Sequence, residues 1–339
     1  MVRCMMNEVK RKAFRGLLTG FDELAGFQEI VSSLQAFSRF NIPPHLYRYR
    51  SCGKAHSFDD VENCRMTFAS PEVYKDEHDS SIHDLGMMKR ASEMILRNPQ
   101  KAMAYFKMIL DKGGVSEKGV EISQLRTRAR GFLLCPEDLL ERRIQAGQAR
   151  MYDLCSPVQA SGVSRKVHKI ACLCENKNSE YMWKEYAEIS SGYLVEYDSS
   201  SLLKMGFEFE QAPLILPVLY TNELPDTYIL SFLSVYYDCL KELLDKEVVD
   251  GLYALETIKC LFCKLRKSFA VEEEWRVMIA PLELESEDRF IFRRIKPCRL
   301  VAGRNMSASD KARLYSCAKQ NDIPIHDQDD CFTDQIFVA

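Results

Sequence analysis

Glu272-Glu273-Glu274-Trp275-Arg276-Val277-Met278-Ile279 runs three carboxylates directly into a hydrophobic strand pattern. A solvated acidic run ordinarily continues into polar residues. Here Trp275, Val277 and Ile279 belong in a core, so at least one glutamate is expected at the mouth of the fold. Carboxylates placed there, beside Arg276 and close in sequence to Lys264 and Lys267, suit polar chemistry: holding a cation, stabilising developing positive charge or orienting a nucleophile. A second polar group lies far upstream. Arg48 and Arg50 alternate along one short strand pattern, and Thr67 and Ser70 fall on or just after the next. A guanidinium presents a planar fork suited to phosphate, and a hydroxyl can position a sugar.

The elements that must position these groups follow from periodicity. Residues 21–38 carry apolar positions at helical spacing, stopped by Pro43-Pro44. Residues 45–50 and 65–69 alternate as strands, the latter closed by Ser70-Pro71 because a residue before proline avoids helical backbone. Between 85 and 150 the signals turn helical, with Pro99 at a first helical position, a stop at Gly113-Gly114 and an acidic first turn at Pro136-Glu137-Asp138. Strand patterns return at 167–174, 192–197, 216–220, 275–279, 290–295 and 299–301, with helices expected at 226–246 and 252–268. Ser307-x-x-Asp310 resembles a capping box before a last helix reaching about Lys319. Helices and strands cluster instead of alternating strictly, which predicts an α+β fold around a mostly antiparallel central sheet with a helical insertion. The implied division is a helical segment over 1–44, an α+β core from 45–84 and 151–339, and a basic insertion over 85–150.

The insertion holds 13 Lys+Arg against 7 Asp+Glu in a chain of net charge −3, so basic charge is concentrated there. Arg126, Arg128, Arg130, Arg142 and Arg143 are the candidates to meet an anionic partner, nucleic acid among them, although solvated helix faces also collect such charge. No apolar run approaches the ~18 residues needed to span a bilayer, and the N-terminus is too charged for a secretory leader. The 13 cysteines are scattered without framework spacing. They read as reduced thiols, and the chain as cytoplasmic. Cys260 and Cys263 have CxxC spacing but fall in a helical pattern. Neither Cys172/Cys174 nor His78/His83 completes a four-ligand set, so no metal site is expected.

No GxGxxG after a strand, P-loop, GxSxG or HExxH occurs, which removes most activities legible from short motifs. What remains is a series of islands: Leu46-Tyr47-Arg48-Tyr49-Arg50-Ser51; Phe68-Ala69-Ser70-Pro71 with Tyr74-Lys75-Asp76-Glu77-His78-Asp79; Ala171-Cys172-Leu173-Cys174; Met182-Trp183-Lys184-Glu185-Tyr186-Ala187; Gly192-Tyr193-Leu194-Val195-Glu196-Tyr197; Val218-Leu219-Tyr220; Glu272-x-Glu274-Trp275-Arg276; and Gly303. In this order they resemble a bacterial family catalogued as domain-of-unknown-function family 2971, over residues 45–84 and 167–305. The chain departs from it at Lys75-Asp76-Glu77-His78-Asp79, where the family usually reads Asn-Asp-Pro-Phe-Asp.

Leu46-Tyr47-Arg48, Thr67-Phe68-Ala69-Ser70 and Glu274 are also similar, in order and type, to the three site strands of the ADP-ribosyltransferase superfamily. That resemblance implies NAD as substrate and transfer to a macromolecule, in a phage-defence or toxin setting. By the same resemblance Arg48 holds the cofactor's phosphates or ribose, with Arg50 and Arg276 beside it. Ser70 or Thr67 positions the nicotinamide ribose, Glu274 stabilises the ribosyl cation, and Glu272, placed on the same strand face, orients the acceptor. The reading requires guanidinium, hydroxyl and carboxylate to converge on one cleft. Three alternatives stand beside it: NAD hydrolysis at the same site, a non-catalytic sensor for an anionic ligand or protein, and a metal-dependent nuclease built on Asp76, Asp79, Glu272 and Glu274.

Overall fold

A computed structural model describes residues 2–21, 27–53, 57–74, 169–205, 213–221, 261–265, 267–279 and 289–330, with scattered positions such as Arg97, Arg130 and Leu255. Two helices lead, α1 (Val2–Gly20) and α2 (Phe27–Asn41). β1 (His45–Arg50), the short α3 (Asp59–Glu62) and β2 (Arg65–Ala69) follow. After the next described segment opens with β3 (Lys169–Cys174), the order is α4 (Glu180–Glu185), β4 (Tyr193–Asp198), α5 (Ser199–Lys204), β5 (Leu214–Pro217) and β6 (Leu219–Thr221). The chain then gives β7 (Cys263–Leu265), β8 (Glu274–Ile279), β9 (Phe290–Arg294), β10 (Arg299–Ala302), α6 (Ala308–Gln320) and β11 (Ile325–Asp327).

The fold is α+β with a mostly antiparallel central sheet. Nine strands join in it, in the order β11-β10-β4-β1-β3-β2-β9, with β8 on the far edge of β3 and β5 beyond β8. β8 pairs with β3 along its whole length, from Lys169↔Ile279 to Cys174↔Glu274. β1 and β2 therefore share the opposite edge of β3, β2 at Ala69↔Ile170 and β1 at Tyr47↔Cys174, and diverge from it as a fork. Among the described strands only β10–β11 is parallel in this sheet, and β6–β7 form a separate parallel pair.

Alternation decides what each face buries. One face carries Leu46, Met66, Phe68, Leu173, Val195, Trp275 and Val277, a large core closed by residues of α3, α5 and α6. The opposite face splits in two. Ile170, Leu214, Leu216 and Met278 pack on Phe14, Ile30 and Leu34 of α1 and α2, while Tyr47, Tyr49, Leu194 and Val301 pack on Trp183 of α4. The short helices start where side chains cap them: Ser179, Asp198 and Ser307 accept from the N–H groups of Met182, Ser201 and Asp310.

β8 is buried at all six positions, as a strand flanked on both edges and covered on both faces must be. Its charged residues are thereby taken inside with its apolar ones. At the other end of the sheet two glycines allow backbones to touch: a Cβ on Gly192 would collide with the Arg50 carbonyl, and one on Gly303 with that of Ser190. Either Gly→Ala change is expected to lower stability by about 2–3 kcal/mol, read from denaturant midpoints. An unchanged midpoint would contradict the close approach.

Several sequence expectations are altered. The helix expected at 21–38 is α2, Phe27–Asn41, preceded by a long α1 within the helical segment expected over 1–44. The single strand expected at 216–220 is two, because Val218 turns its N–H to the Glu274 carbonyl at 2.9 Å and separates β5 from β6. Cys263, expected in a helix, lies in β7. The expected helix 226–246, His78/His83, Asp76, Asp79, Cys260 and most of 85–150, including Arg126, Arg128, Arg142 and Arg143, lie outside the described residues. Arg130 is described and exposed. Among the described residues no helix is long and apolar enough to cross a membrane.

Candidate active site around two glutamates

Glu272 and Glu274 both enter the protein, at 2% and 6% exposure. They do not share a strand. Glu272 ends a 3-10 turn, Lys267–Glu272, and Glu273 reverses the backbone with a left-handed φ of 46° before β8 begins. That region is uncommon for a non-glycine residue. It is what lets two glutamates so close in sequence approach one cation from different directions.

The cation is Lys264, on β7. Its Nζ donates to Glu272 Oε2 at 2.6 Å and lies 3.6 Å from Glu274 Oε2. The ring of Phe269 stands 4.7 Å from the same ammonium. Arg276, two residues along β8 and on the same face as Glu274, donates through Nε to Glu274 Oε1 at 2.8 Å and through Nη2 to Oε2 at 3.4 Å. Its Nη1 donates to the Leu261 carbonyl at 2.5 Å. The Glu272 side opens outward: the Tyr186 hydroxyl donates to Glu272 Oε1 at 2.7 Å, and Tyr186 is 38% exposed. Tyr220 lies beneath, its hydroxyl accepting from the Glu274 N–H at 2.8 Å. Arg11 of α1 closes the base, donating to the Glu274 carbonyl at 3.1 Å and the Val218 carbonyl at 3.0 Å.

These surroundings push the two carboxyls apart. Burial works against ionised Glu274, but Arg276, Lys264 and hydrogen bonds from Arg276 and Cys172 outweigh it and hold the carboxyl down at about 2. For Glu272, burial and the neighbouring Glu274 charge prevail over Lys264 and Tyr186, and its pKa is raised. Burial and Glu272 together raise the Tyr186 phenol as well, so it stays a donor. One carboxylate held ionised to low pH thus adjoins one that gives up its proton less readily. Such a separation underlies acid–base division of labour between paired carboxyls.

The other sequence candidates form a different network. Arg48 donates to Asp60 Oδ1 at 3.1 Å and to the Thr67 carbonyl at 2.9 Å, bridging the fork between β1 and β2. Arg50 Nε lies 2.9 Å from Asp60 Oδ2, and the Tyr197 hydroxyl donates to Asp60 Oδ1 at 2.8 Å. Burial opposes the Arg48 cation, yet Asp60 and Tyr197 more than compensate and its pKa is raised. Ser70 is buried, its N–H on the Arg289 carbonyl at 2.8 Å. Thr67 is buried too, and among the described residues its hydroxyl has no partner.

Strand alternation sets Arg48 and Arg50 on the Leu46 face, whereas Glu274 and Arg276 share the face of Ile170, Cys172 and Met278. The structure therefore gathers Glu272, Glu274 and Arg276 with Lys264, expected only as a nearby charge, and with Tyr186, and gathers Arg48, Arg50 and Thr67 around the unforeseen Asp60. It does not join the two groups. Asp60 sits in a polar stretch with no strand pattern of its own, on the short α3 between β1 and β2, which carries it under the two arginines of β1. No protein-family model, curated protein or solved structure matches the chain. The chemistry is accordingly argued from the glutamate site itself.

Proposed function

We propose that the chain is an NAD-consuming enzyme of the ADP-ribosyltransferase type, working through Glu272 and Glu274. The opposite displacement of two adjoining carboxyls around Lys264 carries this reading. In such a reaction the C–N bond to nicotinamide breaks, nicotinamide leaves with the electron pair, and an oxocarbenium-like ribosyl centre develops. Glu274 supplies fixed negative charge for that centre. Glu272, on the side reached past Tyr186, takes the proton of the attacking nucleophile. The convergence of Arg48 and a hydroxyl on Glu274 that the resemblance required is not met, so the reading rests on the glutamate pair alone, with Arg48 and Arg50 holding the β1–β2 fork.

A macromolecular acceptor gives ADP-ribosyl transfer in a defence or toxin setting, as the sequence resemblances imply; water as acceptor gives NAD hydrolysis. Incubation with NAD labelled in its adenylate half separates the two, because only transfer leaves label on an acceptor. Glu272→Gln is expected to lower nicotinamide release by about 100-fold or more, as for loss of a general base. Since Glu272 acts unprotonated and its pKa is raised, the wild-type rate should climb with pH through a range above the ordinary glutamate value.

One observation favours a non-catalytic binding module instead: both Glu274 oxygens are already engaged by Arg276, as expected of a group that closes a sheet. That reading requires no nicotinamide release at any pH, and biological effect preserved in Glu272→Gln.

A further inference from the structure

Three adjacent strands, β1, β4 and β10, carry a second polar cluster in the same row of the sheet as Glu274, with β1 and β3 between Glu196 and Glu274. His45 opens β1, Glu196 lies on β4 facing Tyr47 and Arg299 in register, and Cys298 immediately precedes β10. Nδ1 of His45 is 3.1 Å from Glu196 Oε1 and 3.9 Å from Cys298 Sγ, and the three ligand atoms all lie within 4.8 Å of one another.

A tetrahedral zinc centre, with metal–N and metal–O near 2.0–2.1 Å and metal–S near 2.3 Å, has ligand-to-ligand edges of about 3.3 Å for N···O and about 3.6 Å for N···S. The observed N···O separation of 3.1 Å and N···S separation of 3.9 Å lie close to those edges, and side-chain adjustment would bring carboxylate and thiol, within 4.8 Å of each other, onto one cation. The backbone is already fixed: the Cys298 N–H donates to the Glu196 carbonyl at 2.9 Å. Glu196 is buried, and its second oxygen is taken by Arg299 Nε at 3.6 Å, which leaves Oε1 directed at the histidine. Second-sphere restraint of this kind orients metal ligands.

We propose that His45, Glu196 and Cys298 form a site for a divalent cation of the zinc class, with a fourth coordination position toward solvent on the His45 side, where that side chain is 45% exposed. The ligand set selects the metal. A thiolate and an imidazole exclude magnesium and calcium, which take oxygen ligands, while one carboxylate beside them is common for zinc. Binding forms bonds from the metal to Nδ1, Oε1 and Sγ and releases the thiol proton to solvent. Two anionic ligands then neutralise the dication, and Arg299 remains outside as the carboxylate's partner. The three ligands stand 151 and 102 positions apart in sequence, too far for any spacing motif to reveal. The proposal is independent of the NAD reading.

Cobalt(II) titration of the full-length chain tests it, because thiolate coordination produces a charge-transfer band absent from a merely ion-paired histidine and glutamate. One equivalent is expected to give that band together with ligand-field bands of tetrahedral intensity, both bleached by zinc. With 13 cysteines present the band alone is not decisive. It must vanish in Cys298→Ser, and affinity must fall by at least about 10–100-fold in His45→Ala. His45→Ala alters an exposed side chain and keeps the test valid should Cys298→Ser fail to fold. A wild-type chain without the band, or a band unchanged in either variant, would overturn the site.

Discussion

Asp60→Asn is expected to destabilise the protein by about 3–5 kcal/mol, the range for breaking a buried ion pair from one side. Asp60 has 0% exposure and serves Arg48, Arg50 and the Tyr197 hydroxyl at once. Asparagine keeps the shape and part of the hydrogen bonding but removes the charge, so two largely buried guanidinium groups lose their counter-ion. The consequence spreads through the fork, because Arg48 also ties β1 to the Thr67 carbonyl of β2. Denaturant unfolding of Asp60→Asn measures the loss, and Arg48→Met in the same background should recover part of it. A loss below about 1 kcal/mol would mean that the arginines are held by other groups.

The second large effect belongs to Glu274. Glu274→Gln leaves fully buried Arg276 without its carboxylate and is likewise expected to cost about 3–5 kcal/mol. Replacing both, as Glu274→Leu with Arg276→Met, should be far milder than the sum of the single changes, since no charge is then stranded. The pH dependence has a definite sign. Glu274 is displaced downward, from 4.5 to about 2, so its stabilisation is complete above about 4.5 and is lost as pH falls toward 2. That displacement corresponds to something on the order of 3 kcal/mol. Glu272 is displaced upward and acts in the opposite sense: its contribution is present below its unfolded value and disappears as pH rises through the folded one. Glu274→Gln should therefore flatten the acid limb of the stability curve, with the Glu272 limb remaining.

Much of the sheet is legible in the sequence. Strand alternation located β1 and β2 at their observed ends, and Ser307-x-x-Asp310 marked the start of α6 as the capping bond shows. The acidic run was rightly read as entering the core, because apolar alternation directly after charge leaves the chain no outward course. What failed was whatever depended on distant pairing. Glu272 was expected on the strand with Glu274, but a left-handed Glu273, invisible to periodicity, places it on the preceding turn. Lys264 was noted as a nearby charge and not as the hub, since Cys263–Leu265 carries too few residues to declare itself a strand beside a helical pattern. Arg48 and Arg50 are expected from the sequence to hold a cofactor, whereas the structure pairs both with Asp60. Their partner is not legible, because Asp60 lies on α3, a helix too short to declare itself by periodicity.

The account rests most heavily on two adjoining carboxyls that titrate far apart. Carbon-13 carboxyl NMR of glutamate-labelled protein, with Glu272→Gln to assign the signals, measures this directly. The expected result is a Glu274 resonance still ionised at pH about 4, while Glu272 is protonated there and releases its proton only above the ordinary glutamate range. Two resonances moving together near the ordinary value would contradict it, and with it the division of roles between Glu272 and Glu274.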